Sequence, residues 1–118
     1  MDEFKQAYIE ALHFTDTGHD SEIPDDTELS DEALQQIDVD CAKFLERVQG
    51  MPPAWAEIQD RMGDAGHDFW LTRNGHGAGF WDGDWSSDCG IDDMLDGLAG
   101  EFGEAWPYLG DDGLIYFL

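Results

Sequence analysis

The stretch "HDFWLTRNGHGAGFWD", His67 to Asp82, decides how the middle of this chain is read. Its centre, Asn74-Gly75, is a strong short-range signal for a two-residue type I′ hairpin turn, because that turn needs positive φ at both central positions and Asn and Gly tolerate it best. In that register Arg73 pairs with His76, Leu71 with Ala78 and Phe69 with Phe80. Alternation along the two strands places Phe69, Leu71, Ala78 and Phe80 on a core face. Asp68, Trp70, Thr72, Gly77, Gly79 and Trp81 fall on the other face, where Gly79 leaves room for the Trp70 indole. The stretch therefore predicts a hairpin with one apolar and one aromatic face.

On the N-terminal side, Phe4, Ala7, Tyr8, Ala11 and Leu12 recur at helical spacing between Asp2 and about Phe14, with acidic residues in the first turn that suit the helix dipole. "TDTGHDSEIPDDTEL", Thr15 to Leu29, carries Gly, Pro and a run of carboxylates and reads as an exposed loop. Ser30 offers an N-cap for a second helix, whose apolar stripe of Leu34, Ile37, Cys41, Phe44, Leu45 and Val48 ends before Gly50. Met51, Pro52 and Pro53 stop it. "AWAEIQDRM", Ala54 to Met62, predicts a short third helix, ended by Gly63 to Gly66.

On the C-terminal side, "IDDMLDGLAGEF" aligns Ile91, Leu95, Leu98 and Phe102 for a further helix, although Gly97 and Gly100 each weaken it by about 1 kcal/mol relative to Ala. "AWPYLGDDGLIYFL" reads as a second hairpin: Trp106 to Leu109, a turn through Gly110 to Gly113, then Leu114 to Phe117. The expected fold class is α+β. N-terminal helices pack on a small, mainly antiparallel sheet built from two hairpins flanking a further helix, in a single domain covering residues 1–118.

Composition narrows function. Twenty-eight Asp and Glu stand against five Lys and Arg, for a net charge of −23, while 42% of residues are hydrophobic and 13% aromatic. Disordered acidic tails lack that apolar content, so the chain is expected to fold. The charge repels nucleic acid and anionic membranes, which points to a basic partner, and the usual basic macromolecular surface is one that grips a phosphate backbone. The alternative is acidity that serves only solubility or a salty environment. Cys41 and Cys89 are isolated and imply neither a zinc site nor a disulfide framework. A basic start followed by an apolar run is absent from the N-terminus, and nowhere do eighteen apolar residues follow one another, so a cytoplasmic protein is expected.

The block "AGHDFWLTRNGHGAGFWD", Ala65 to Asp82, together with "LSDEALQQIDVDCAKFLE", Leu29 to Glu46, and "YLGDDGLIYF", Tyr108 to Phe117, resembles a widespread set of small uncharacterised proteins of phages, prophages and plasmids. The three blocks together make up 46 of the 118 residues, about two fifths of the chain. The resemblance implies a mobile-element origin and a bacterial host cytoplasm, and it carries no catalytic residues across. "WDGDWSSDCGIDD" stands where the set has a more basic or neutral segment. The acidity is also similar to that of phage inhibitors that mimic DNA.

Four kinds of chemistry compete for these residues. Asp82, Asp84, Ser86, Asp88 and Asp93 fit positions 1, 3, 5, 7 and 12 of a calcium loop, but Ser87 stands where the sharp turn wants Gly, and the last ligand is Asp rather than a bidentate Glu. His67, Asp68 and His76 could form a catalytic cluster, yet the hairpin register places the histidines several residue pairs apart. "RNGHGAG" lacks the helix and the following Lys of a phosphate cradle, and base stacking on tryptophan needs a cationic groove, for which the chain has almost no cations. No metal or other cofactor is expected.

A protein-binding surface remains. Trp70, Trp81 and Trp85 are candidates for an aromatic patch rimmed by Asp68, Asp82, Asp84 and Asp88, against the alternative that the tryptophans are ordinary core. Candidate acidic rows are Asp31, Asp38 and Glu46 on the second helix, Asp92, Asp93 and Asp96 on the last helix, and Asp16 through Glu28 in the loop. The expected function is inhibition of a basic, DNA-binding host protein, such as a restriction enzyme, defence nuclease or repair glycosylase, by imitation of DNA. A structural or regulatory module of a mobile element is the alternative, and a small calcium-binding domain the third reading.

Overall fold

The computed structural model describes residues 2–16, 23–24, 26–75, 79–80, 85–86 and 90–118. Among these residues, five helices and one two-stranded antiparallel sheet follow in the order α1 (Asp2–Asp16), α2 (Asp31–Gln49), α3 (Pro52–Asp60), α4 (Met62–Arg73), α5 (Ile91–Glu101), β1 (Pro107–Leu109) and β2 (Ile115–Phe117). The class is α+β with mostly helical content. Among the described residues no helix is long and apolar enough to cross a membrane.

Local signals account for most of these boundaries. Ser30 is extended, and its hydroxyl accepts the Ala33 N–H at 3.1 Å, which satisfies one of the open donors at the start of α2. Asp31 and Glu32 occupy the first turn and Arg47 the last, each on the favourable end of the helix dipole. Pro52 and Pro53 open α3, where a missing N–H costs nothing. β1 and β2 pair Tyr108 with Tyr116 and Leu109 with Ile115, and Gly113, at φ +82°, supplies the left-handed residue of the connecting turn. The other edge of β2 is covered by the chain entering α2. Ile115 N–H donates to the Glu28 carbonyl at 2.9 Å, and the Ile115 carbonyl accepts the Ser30 N–H at 2.9 Å.

The first expected hairpin is corrected. Asp68 to Arg73 lie in α4, so the sheet is not built from two hairpins, and Gly63 to Gly66 do not end a helix but sit inside one. Asn74-Gly75 stops α4. Only Gly75 has positive φ, +68°, whereas Asn74 lies at −100°, so the pair cannot form a type I′ turn. The Asn74 side chain instead donates to the Trp70 carbonyl at 3.0 Å and accepts the Ala105 N–H at 2.8 Å, closing the helix end and tying it to the segment before β1. The pairing partners Ala78, Gly77 and His76 lie outside the described residues.

One hydrophobic cluster draws side chains from all five helices and from β2. At its centre Phe44 stacks on Phe69, ring centroids 4.3 Å apart, with Phe4, Phe80 and Phe102 around them. α1 lies along α4, and Gly66 meets the α1 backbone at Phe4, where an added Cβ would collide with the Phe4 carbonyl group. Gly79 folds against Thr72, whose hydroxyl accepts the Phe80 N–H at 3.0 Å.

Candidate functional site

The expected aromatic patch is dismantled by α4. A helix advances 100° per residue where a strand alternates by 180°, and α4 is enclosed so fully that Asp68, Phe69, Trp70 and Leu71 are all buried. Trp70 has no exposed surface; its indole N–H donates to the Thr15 hydroxyl at 2.8 Å and its ring meets Tyr8 edge-on. Trp85 is 3% exposed, donates to Asp68 Oδ2 at 2.6 Å and lies under the Arg61 guanidinium, 4.1 Å from the ring centroid. Asp68, Trp70 and Trp85 are therefore interior groups rather than partner anchors. Trp81, Asp82, Asp84 and Asp88 lie outside the described residues, and with them most of the calcium frame, of which Asp93 sits in the first turn of α5. Among the described residues no three His, Cys, Asp or Glu side chains converge as metal ligands.

The acidic rows fare differently. Asp31, Asp38 and Glu46 are exposed along one side of α2, about 10–12 Å apart at 1.5 Å per residue. Asp38 carries the Lys5 ammonium. On α5, Asp93 is exposed while Asp92 and Asp96 are partly buried, and Asp92 Oδ1 accepts the Asp93 N–H at 2.8 Å. In the loop, Asp26 and Glu28 are exposed, and Asp16 accepts the Thr15 hydroxyl at 2.6 Å. Exposed acids also stand on α1, α3 and the β1–β2 turn, for example Glu10, Asp60 and Asp111.

Positive charge is consumed internally. Of the five Lys and Arg, all within the described residues, four sit on carboxylates: Lys5 on Asp38, Arg47 on Glu101 at 3.3 Å, Arg61 on Asp64 at 3.2 Å and Arg73 on Asp40 at 2.8 Å. The first three are surface pairs, worth at most about 1 kcal/mol each. Their main consequence is electrostatic, since little cationic surface is left to interrupt the anionic field.

The fourth pair is buried. Arg73, 7% exposed, donates from Nη1 to Tyr8 Oη at 3.0 Å and to Asp40 Oδ2 at 2.8 Å, from Nε to the Gly103 carbonyl at 2.9 Å and from Nη2 to the Phe102 carbonyl at 3.1 Å. Burial alone would lower its pKa, but Tyr8 and Asp40 outweigh burial and the net shift is upward. Burial pushes the Tyr8 phenol up as well, against the pull of Arg73. The group is a structural cation that ties α1, α2, α4 and the end of α5 together, and sequence reading singled out no role for it. Above it lies a hollow of about 310 Å³ whose lining includes Glu32, Gln36, Asp40, Glu104, Tyr116 and Phe117.

Two further groups named by their chemistry, Cys41 and His67, lie among the described residues. Burial, then the nearby Asp40 and Asp38, push the Cys41 thiol up to about 12, so it stays protonated and is a poor nucleophile. His67 is exposed, with Nδ1 3.4 Å from Asp68 Oδ1. No family model, curated protein or solved structure matches the chain.

Proposed function

We propose that this chain is a non-catalytic acidic protein of a phage or related mobile element that acts in the bacterial host cytoplasm by occupying the basic surface of a DNA-binding host protein. One observation carries the reading: four of five cations are neutralised within the fold while exposed carboxylates stand on every helix and on the hairpin turn. A net charge of −23 over a long axis of 46 Å amounts to one charge per about 2 Å, close to the ~1.7 Å of duplex DNA. The match is one of overall density. The α2 row alone is several times sparser than the ~3.4 Å axial spacing of phosphates on one strand, so recognition works through the summed field rather than phosphate by phosphate.

The test is capture of host proteins on the immobilised chain, elution by a salt gradient and challenge with duplex DNA. A captured DNA-binding protein that DNA displaces, and whose activity the free chain inhibits, is the expected result. Retention that DNA does not affect overturns the reading. The even spread of acids over the surface favours a second reading, a structural or regulatory module of a mobile element whose acidity serves solubility. That reading predicts no DNA-competable target.

A further inference from the structure

The C-terminal hairpin turns Trp106, Tyr108 and Tyr116 away from the core-facing side that carries Phe117. The Leu118 N–H donates to the Trp106 carbonyl and Tyr108 faces Tyr116, so the two-residue period groups Trp106, Tyr108 and Tyr116 on one face. Pro107, Leu109, Ile115 and Phe117 fall on the other, which reaches the core through buried Ile115. Trp106 is 60% and Tyr108 42% exposed, and the Tyr108 and Tyr116 rings stack 5.9 Å apart. Among the described tryptophans Trp106 is the most exposed, and exposed aromatic groups in a small protein mark contact sites.

The surroundings say what covers this face. Glu104, Asp111 and Asp112 border it, and the 310 Å³ hollow adjoins it through Tyr116, with Glu32 and Glu104 in its lining. A second copy of the chain would bring −23 against −23, and a nucleic acid or anionic membrane would be repelled in the same way. The complementary occupant is a basic protein segment. Arginine suits the hollow better than lysine, since its planar guanidinium stacks on aromatic rings and bridges carboxylates with a fixed fork of donors.

We propose that the outer face of the β1–β2 hairpin and the adjoining hollow receive an arginine-bearing segment of a basic protein, with Trp106 and Tyr108 as apolar anchors and Glu32 and Glu104 as guanidinium acceptors. This rests on the reading of the chain as a ligand for basic proteins and names the contact point. The first experiment uses N-acetyl-arginine methylamide as probe, followed by amide NMR, with the lysine analogue and sodium chloride at matched ionic strength as controls.

Saturable shifts confined to Glu32, Ala33, Gln36, Asp40 and residues 104–118 are expected, with the arginine probe tighter than the lysine probe by about threefold or more. Glu32→Gln with Glu104→Gln should weaken the arginine probe by about tenfold, while the charge-matched pair Glu10→Gln with Asp60→Asn leaves it within about twofold. Shifts spread evenly over the acidic surface, or no saturation beyond the sodium effect, overturn the site. Failure of DNA to displace a captured host protein would remove DNA imitation without touching this result. Conversely, a DNA-competable target that binds Trp106→Ala and the Glu32, Glu104 variant as well as the parent would remove the site and leave the function.

Discussion

Gly66 of α4 lies directly against the backbone of Phe4 in α1: a Cβ built on Gly66 would sit 2.8 Å from the Phe4 carbonyl carbon and closer still to its oxygen. The obstacle is backbone and cannot rotate away. The crossing of α1 and α4 therefore depends on the absence of a side chain at position 66.

Gly66→Ala should destabilise the fold by about 3 kcal/mol or more, the upper range for overpacking, because either helix must move to admit the methyl group. Gly97 offers the internal contrast. It lies in α5 with nothing within 4 Å of an added Cβ, so Gly97→Ala should stabilise by about 0.5–1 kcal/mol through helix propensity. Urea denaturation of both variants checks the opposite signs.

Asp40→Ala removes the carboxylate from the guanidinium of a side chain that is 6% exposed, leaving the charge with Tyr8 and two carbonyls. A loss of about 3 kcal/mol is expected, since stranding one member of a buried pair costs more than the pair contributes. Asp40→Asn, which keeps an acceptor, should cost less. Equal losses for the two variants would show that the carboxylate charge, and not an acceptor alone, holds the guanidinium.

Trp85→Phe keeps an aromatic ring, smaller than the indole, but takes the indole donor from Asp68, which is 8% exposed. The expected loss is about 2 kcal/mol. Trp70→Phe likewise takes a donor from Thr15, but losing one donor costs a neutral hydroxyl less than a carboxylate, so about 1 kcal/mol is expected there. Thermal unfolding that ranks the two variants the other way would contradict this account.

The exposed Asp112–Tyr116 pair, Oη donating to Oδ2 at 2.6 Å, sets a pH window for the hairpin turn. The hydrogen bond from Tyr116, then the Leu114 N–H, hold the Asp112 carboxyl below its ordinary value, so its contribution is present above the usual carboxylate range and fades as pH falls. The bond to Asp112 raises the Tyr116 phenol from 10.0 to about 12, so that contribution is whole below 10 and fades as pH rises through 12. Ultraviolet titration should show one tyrosine ionising near 12. Asp112→Ala should return it toward 10.

Much of the architecture was legible in short-range chemistry. Ser30 as a cap, the apolar stripes of α1, α2 and α5, Pro52-Pro53 as the break after α2 and the glycine turn between β1 and β2 each express a local rule satisfied within a few residues. The alternation that turns Trp106 and Tyr108 outward could also have been read from "AWPYLGDDGLIYFL". The failure at α4 has an identifiable cause. A helix buried on nearly every side shows no amphipathic period, and Asn-Gly serves a helix stop as readily as a type I′ turn, so "HDFWLTRNG" satisfies the strand template by accident.

The sequence by itself determined the charge, the apolar content and the elements whose caps and periods are local. Only the tertiary structure decided that Trp70 and Trp85 are interior groups and that nearly every cation is neutralised. Those outcomes depend on groups far apart in the chain, 55 residues between Thr15 and Trp70 and 65 between Tyr8 and Arg73. Burial and ion pairing are properties of what the folded chain brings together, and no window of neighbouring residues contains them.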